Sequence, residues 1–249
     1  MAIIRKFSFS VALILSSVAS LHAQNQPLLV AAPQFIAPFI MKGKNQLYGF
    51  DISMMSQICT MINRDCKYQI MPFSQVLQSV ADKKSDVAIG SITITADRAK
   101  IVNFSIPYMI PDTRFIGRSS MKNTPINLDV LLKSNIGIIK GTVFSDQLKS
   151  MGVDTLKLST FKNENDMMEA LNAGSIDLGL VDNTTALYWQ SQSDGALVAV
   201  GKPTPYGSGI GIAVNAEETA LLESINQALY KYQNSPDFTR NFNEYLNYF

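Results

Sequence analysis

Residues 76–91 read VLQSVADKKSDVAIGS, and residues 170–182 read ALNAGSIDLGLVD. Each runs from a helical apolar pattern through a polar turn to an aspartate, and then into a short apolar run that reads as a buried strand. Buried strands that alternate with helices have few packing solutions. The commonest is a mostly parallel sheet covered by helices, so the chain is constrained to an α/β architecture. The recurrence points to two bodies of similar build, although the stretches share a pattern and not residue identity.

The remainder of the chain fills in that alternation. A strand is expected over 28–32, followed by the loop PQFIAPF. Asp51 is positioned to N-cap a helix over 52–62, whose apolar residues recur at helical spacing. Strands at 67–71 and 87–90 flank a helix at 73–81. A second unit begins near Phe115: a strand over 135–142, NIGIIKGT, ends in a Gly-Thr turn, with helices over 143–151 and 160–173. The last segment holds a strand at 210–214 and helices at 217–232 and 236–245. The glycine-rich stretch 201–211 is expected to be a hinge. A chain that enters the second body near 113 and leaves it near 205 crosses twice, which creates a cleft that opens and closes.

The first residues read as a secretory signal: Arg5 and Lys6, an apolar stretch over 7–18, and Leu21-His22-Ala23 before Gln24. The apolar stretch is short for a bilayer span, and an uncleaved anchor is the alternative. Removing 1–23 takes the net charge from +1 to about −1. That balance gives no electrostatic reason to bind nucleic acid or an anionic membrane. The remaining length, about 225 residues, suits one large domain or two lobes. The single histidine, His22, lies in the signal, so the mature chain has none. Serine-histidine and cysteine-histidine catalysis and most zinc sites are thereby excluded. Cys59 and Cys66 are the two cysteines. In an exported chain they read as a disulfide tying the end of one helix to the next strand, with two buried thiols as the alternative.

The stretch after the strand at 87–90 is GSITITADRA, with hydroxyls at Ser91, Thr93 and Thr95 and then Arg98. An arginine fork meets both oxygens of a carboxylate at once, and hydroxyls and amides at a strand-to-helix turn add donors. The segment therefore suits a small carboxylate, with Thr95 as a cap. The alternative is a surface loop in which Arg98 pairs with Asp97 or with solvent.

Taken in order, YGFDISMMSQICTMI, GSITITADRAKIVNFSIPYM, NIGIIKGT, ALNAGSIDLGLVDNTTALYW and GSGIGIAV resemble the periplasmic polar-amino-acid-binding proteins of ABC importers, the solute-binding family that includes histidine, glutamine and lysine/arginine/ornithine receptors. The resemblance covers the mature chain. It implies a two-lobed periplasmic binding protein fold of type II, each lobe a mixed, mostly parallel sheet flanked by helices, with a two-strand hinge. Lobe 1 would comprise 24–112 and 207–249, and lobe 2 would comprise 113–206. Carried over residue by residue, Arg98 would clamp the ligand α-carboxylate, while Ser91 and Thr93 would bind through hydroxyls and amides. Thr142 would donate to the carboxylate from the second lobe, and Asp182 would pair with the α-ammonium. Phe35 and Phe73 would be aromatic walls. Phe35 and Phe73 as core aromatics, and Asp182 as a helix cap, are the alternatives. Tyr108 and Trp189 read as structural, and Met54 and Met55 as packing. The Cys59–Cys66 pair sits where basic-amino-acid receptors of the family carry a disulfide. No metal or cofactor is implied. The implied partners are a free amino acid and a membrane permease, with the protein a periplasmic monomer.

One position departs from the pattern. Basic-amino-acid receptors place an acid three residues before the aromatic matched to Phe35, and this chain has Ala32 there. A cationic side chain would need another counter-charge, or would rely on Phe35, Phe73 and Gln34. The disulfide and GSGIGIAV resemble the arginine-binding branch, so arginine is favoured over glutamine. Two other readings stand beside this one: a free-standing amino-acid sensor, and an exported dehydratase-type enzyme on the same fold. The enzyme would need a general acid in the cleft, and without histidine only Asp or Glu could serve.

Overall fold

The structure, a computed structural model, describes residues 26–247. The expected signal over 1–23 lies outside them. In chain order the elements are β1 (Leu28–Pro33), a small hairpin β2 (Met41–Lys42) and β3 (Leu47–Tyr48), α1 (Phe50–Met61), β4 (Cys66–Met71), α2 (Phe73–Ala81), β5 (Val87–Ala88), β6 (Asn103–Phe104) and β7 (Asp112–Arg118). There follow α3 (Leu128–Lys133), β8 (Ile136–Ile139), α4 (Phe144–Ser150), β9 (Ser159–Phe161), α5 (Glu164–Asn172), β10 (Leu178–Asp182) and α6 (Asn183–Gln192). The chain ends with β11 (Leu197–Pro205), β12 (Ala213–Val214), α7 (Thr219–Gln233) and α8 (Pro236–Tyr245).

The two main sheets are built alike. The first has the order β4-β1-β5-β12-β6, and the second β11-β7-β10-β8-β9. In the first, β1 runs parallel to β4 and β5, and β12 is antiparallel to β5 and β6. In the second, β8 runs parallel to β9 and β10, and β7 is antiparallel to β10 and β11. Each sheet thus has three parallel strands extended by an antiparallel pair. The repeated sequence pattern has a physical basis here. Asp86, just before β5, accepts from Leu29 N at 2.8 Å and pairs with Arg64 at 3.2 Å. Asp177, just before β10, accepts from Asn135 N at 2.9 Å and pairs with Arg118 at 3.2 Å. In both sheets an aspartate satisfies an amide at the start of the neighbouring parallel strand, and an arginine balances its charge.

Apolar residues of the second sheet alternate between faces as strand geometry requires. Ile136, Ile138, Leu178 and Leu180 pack on one side, with Phe144 and Leu148 of α4. Ile116, Ile139 and Val181 face the other side, with Met167 and Leu171 of α5, and join the core of the first sheet. Met54 and Met55 are fully buried there, as packing residues should be. Cys59 and Cys66 form a disulfide, Cα–Cα 5.8 Å, from α1 to the start of β4.

Three local expectations are corrected. Residues 160–173 are not one helix, because Ser159–Phe161 pairs in parallel with β8 before α5 begins at Glu164. The stretch 201–211, read as loop, is strand over its first half. Residues 201–205 continue β11, and after a shift of register beyond Val200, Thr204 and Pro205 pair with Thr113 and Asp112. Asp51 does not cap α1. The cap position is Gly49, and the Asp51 carboxylate turns inward to the partners described below.

Candidate functional site

In parallel sheets, ligands gather beyond the carboxyl ends of the strands, where loops can present side chains and amides. Here those ends converge from both sheets on one cavity. Beyond β1 lies Ile36, beyond β4 Phe73, and beyond β5 Ser91, Thr93 and Arg98. From the second sheet, β8 delivers Ile139 and Thr142, β9 delivers Glu164, and β10 delivers Val181 and Asp182. All six parallel strands therefore contribute. The cavity volume of about 20 Å³ is little more than one or two waters need. A larger guest requires the two sheets to part.

Of the residues picked out in the sequence, Phe73, Ser91, Thr93, Arg98, Thr142 and Asp182 line this cavity. Phe35 does not. Its ring packs against Trp189 with centroids 6.1 Å apart, and the wall expected of it is supplied by its neighbour Ile36. The loop reverses direction between β1 and β2, and Ile36 and Ile40 form a bridge across it, which turns Ile36 inward.

Arg98 begins a single 3-10 turn and is buried. The Thr95 hydroxyl accepts from Arg98 N at 3.3 Å, as a cap would. The guanidinium donates to the Thr93 carbonyl at 2.8 Å and, across the cleft, to the Gly141 carbonyl at 3.0 Å. It also lies 5.7 Å from the Phe73 ring centroid. Two carbonyls occupy two of its five N–H groups, and among the described residues no carboxylate forms an ion pair with it. Burial lowers its pKa to about 10, a drop that the Asp182 charge opposes, so it stays cationic at neutral pH.

Asp182 faces Arg98 from the second sheet and accepts from the Ser91 hydroxyl at 2.7 Å. Burial pushes its carboxyl up to about 7, against the lowering effects of Ser91 and Arg98. Thr142 donates its hydroxyl to Ile139 O at 2.7 Å, within its own turn. The Ser91 amide is also committed, since Gly90 N and Ser91 N both donate to Asp51 Oδ2, at 2.9 and 3.0 Å. Tyr108 donates its hydroxyl to the same carboxylate at 2.9 Å. Asp51 is fully buried, and burial raises its pKa to about 6. It fixes the turn that carries Ser91, whose φ of 50° lies in the left-handed region. Tyr108 acts through Asp51, and Trp189 acts through Glu164, to which its indole donates at 3.1 Å. Neither lines the cavity.

Glu164 and Asp51 are the site residues that sequence reasoning missed. Glu164 also accepts from Ala37 N at 3.1 Å, while the Thr185 hydroxyl donates to Ala37 O at 2.6 Å. The second sheet's body therefore grips both polar groups of one residue in the first. Burial pushes the Glu164 carboxyl up to about 8. Its sequence signal is its position, three residues beyond the end of β9, but the pattern over 160–173 reads as helix throughout.

Residues 28–248 match the family model for bacterial extracellular solute-binding proteins, family 3. The chain is 28% identical over 229 residues to the arginine-binding periplasmic protein of Mannheimia haemolytica, covering 90% of this chain and 92% of that one. It is 26% identical over 239 residues to the histidine-binding periplasmic protein of Salmonella typhimurium, with 90% of each covered. Among solved structures, an ancestral arginine-binding protein bound to glutamine superposes with a TM-score of 0.81 at 27% identity, over 88% of this chain and 97% of that one. These relatives are solute-binding proteins and not enzymes. The chain belongs to the bacterial extracellular solute-binding proteins, family 3.

Proposed function

We propose that the protein is the periplasmic substrate-binding component of an amino-acid ABC importer. It captures a polar or basic L-amino acid, arginine favoured, between lobe 1 (24–112 and 207–249) and lobe 2 (113–206). The observation that carries this reading is that Arg98 and Asp182, from opposite sheets, reach into one cavity. A zwitterion presents a carboxylate and an ammonium on the same carbon. The free N–H groups of Arg98 suit the first and Asp182 the second, with Thr93, Thr142 and the Ser91 hydroxyl adding polar contacts. Phe73 and Ile36 wall the side chain.

Closing the cleft strips water from both charges, which costs free energy unless each finds a partner. A bound amino acid supplies both partners at once. Binding exchanges the Ser91–Asp182 bond for contacts to the ligand ammonium, and the lobes close around it. The periplasmic names of the relatives and the secretory pattern over 1–23 support export, and the family supports a permease partner for the closed monomer. Isothermal titration against the twenty amino acids tests the proposal. We expect arginine to bind at micromolar or tighter Kd, and failure of every amino acid to bind below about millimolar would overturn it.

A further inference from the structure

We infer that Glu164 is the counter-charge for a cationic ligand side chain, so that the cavity selects an amino acid ending in a guanidinium or ammonium group. The inference rests on the amino-acid reading above and adds the chemistry of the side-chain end.

The first support is a count of charges. The cavity is lined by one cation, Arg98, and two acids, Asp182 and Glu164. A zwitterion matches Arg98 with its carboxylate and Asp182 with its ammonium. Glu164 is left over. It is 3% exposed, and because a buried carboxylate without a cation is among the costliest groups a site can hold, it ionises there only when a cation arrives to balance it. A ligand with one further positive charge gives an ionised Glu164 its partner, whereas a neutral side chain leaves the carboxyl protonated and without an ion pair.

The second support is how Glu164 is held. Both of its hydrogen bonds, from Ala37 N and from the Trp189 indole, fall on Oε2 and come from neutral donors. Among the described residues it has no ion-pair partner. The two donors orient the carboxyl group and bring no charge of their own. Ile36, Phe73 and Val181 line the same cavity and suit the methylenes that lead to a terminal cation. Burial holds its carboxyl up to about 8, with the Asp182 charge adding to the rise, so an arriving cation would displace a proton. The chain also lacks an acid at Ala32, and Glu164 reaches the cavity from the opposite sheet instead.

The rival is that Glu164 only latches the lobes through Ala37. Citrulline separates the two, since it keeps the shape of arginine and lacks its charge. Calorimetric titration of the wild type and of Glu164→Gln with L-arginine and L-citrulline is the test. We expect the wild type to prefer arginine, and Glu164→Gln to lose roughly 10- to 100-fold in arginine affinity with citrulline changed less than about threefold. Equal losses for both ligands would make Glu164 a latch and overturn the inference, as would an unchanged arginine affinity. Should Glu164→Gln fail to fold, the wild type decides alone. Titrations in buffers of different ionisation enthalpy should show arginine releasing up to about one proton more than citrulline near pH 7, and equal release would overturn the inference. A wild type that binds neither ligand nor any other amino acid would instead overturn the amino-acid reading itself.

Discussion

Gly141 sits where the two lobes touch, and replacing it with alanine should block closure by a calculable amount. Its φ is +88°, and a β-carbon there would lie 2.5 Å from Ser74 Cα and 2.8 Å from Ser74 Cβ, at the start of α2 in the first sheet's body. Carbon atoms pack at about 3.5–4.0 Å, so the two bodies would have to separate locally by about 1 Å or more. The nearest neighbour is a helix backbone atom and the next is the β-carbon fixed to it, so neither can swing aside. The bond from Arg98 to the Gly141 carbonyl, 3.0 Å long, crosses at this point, and such a shift takes it beyond hydrogen-bonding distance. A bond to a charged donor contributes about 1.5–3 kcal/mol, so arginine affinity in Gly141→Ala should fall roughly 10- to 100-fold. Positive φ adds strain of about 1–2 kcal/mol, which lowers stability without regard to closure. Gly195→Ala separates the two effects, because Gly195 has φ +82° and no atom within 4 Å of the added carbon. Both variants should unfold at lower urea concentration, and only Gly141→Ala should bind more weakly by isothermal titration. Wild-type affinity in Gly141→Ala, or an equal affinity loss in Gly195→Ala, would show that close approach at Gly141 does not limit closure.

Asp51→Ala should weaken all ligands alike by about tenfold or more, because the buried Gly90 and Ser91 amides lose their acceptor. Asp51→Asn should bind nearly normally, since an amide oxygen can accept both N–H groups while its NH2 donates to Tyr108, and titration with two amino acids checks both variants. Cys59→Ser with Cys66→Ser should cost about 2–3 kcal/mol in urea unfolding, the loop-closure value for a ring of this size, with ligand affinity unchanged. Burial raises Asp51 to about 6, Asp182 to about 7 and Glu164 to about 8, all above the ordinary range near 4. Groups so raised favour the folded state fully below that range and lose the benefit as pH climbs through the shifted values. The melting temperature of protein refolded free of ligand should therefore fall between about pH 5 and pH 8. The upper part of that curve should flatten in Glu164→Gln.

The sequence made the framework legible because the framework is periodic. The paired patterns ending in DVAIG and DLGLVD marked the third parallel strand of each sheet, and their aspartates proved to anchor the neighbouring strand in both. Arg98 was legible because it follows such a strand among spaced hydroxyls, whereas Asp182, the last residue of β10, was marked by the family resemblance. What stayed hidden was decided by tertiary contacts. A three-residue strand at Ser159–Phe161 is too short to show period two, so Glu164 reads as the interior of a longer helix and not as the first residue of α5 beyond that strand. An aspartate before a helix has the composition of a cap whether it bonds its own helix or, like Asp51, a turn far along the chain. Phe35 and Ile36 are adjacent and both apolar, and the bridge to Ile40 that turns Ile36 inward has no signature in composition.

The most direct test is a crystal structure of the protein grown with L-arginine. We expect the α-carboxylate about 3 Å from the Arg98 guanidinium and the α-ammonium at the same distance from Asp182, with both lobes closed on the ligand. An arginine bound elsewhere, or held in this cavity with its α-groups turned away from Arg98 and Asp182, would mean that these two side chains are not the ligand's ionic partners.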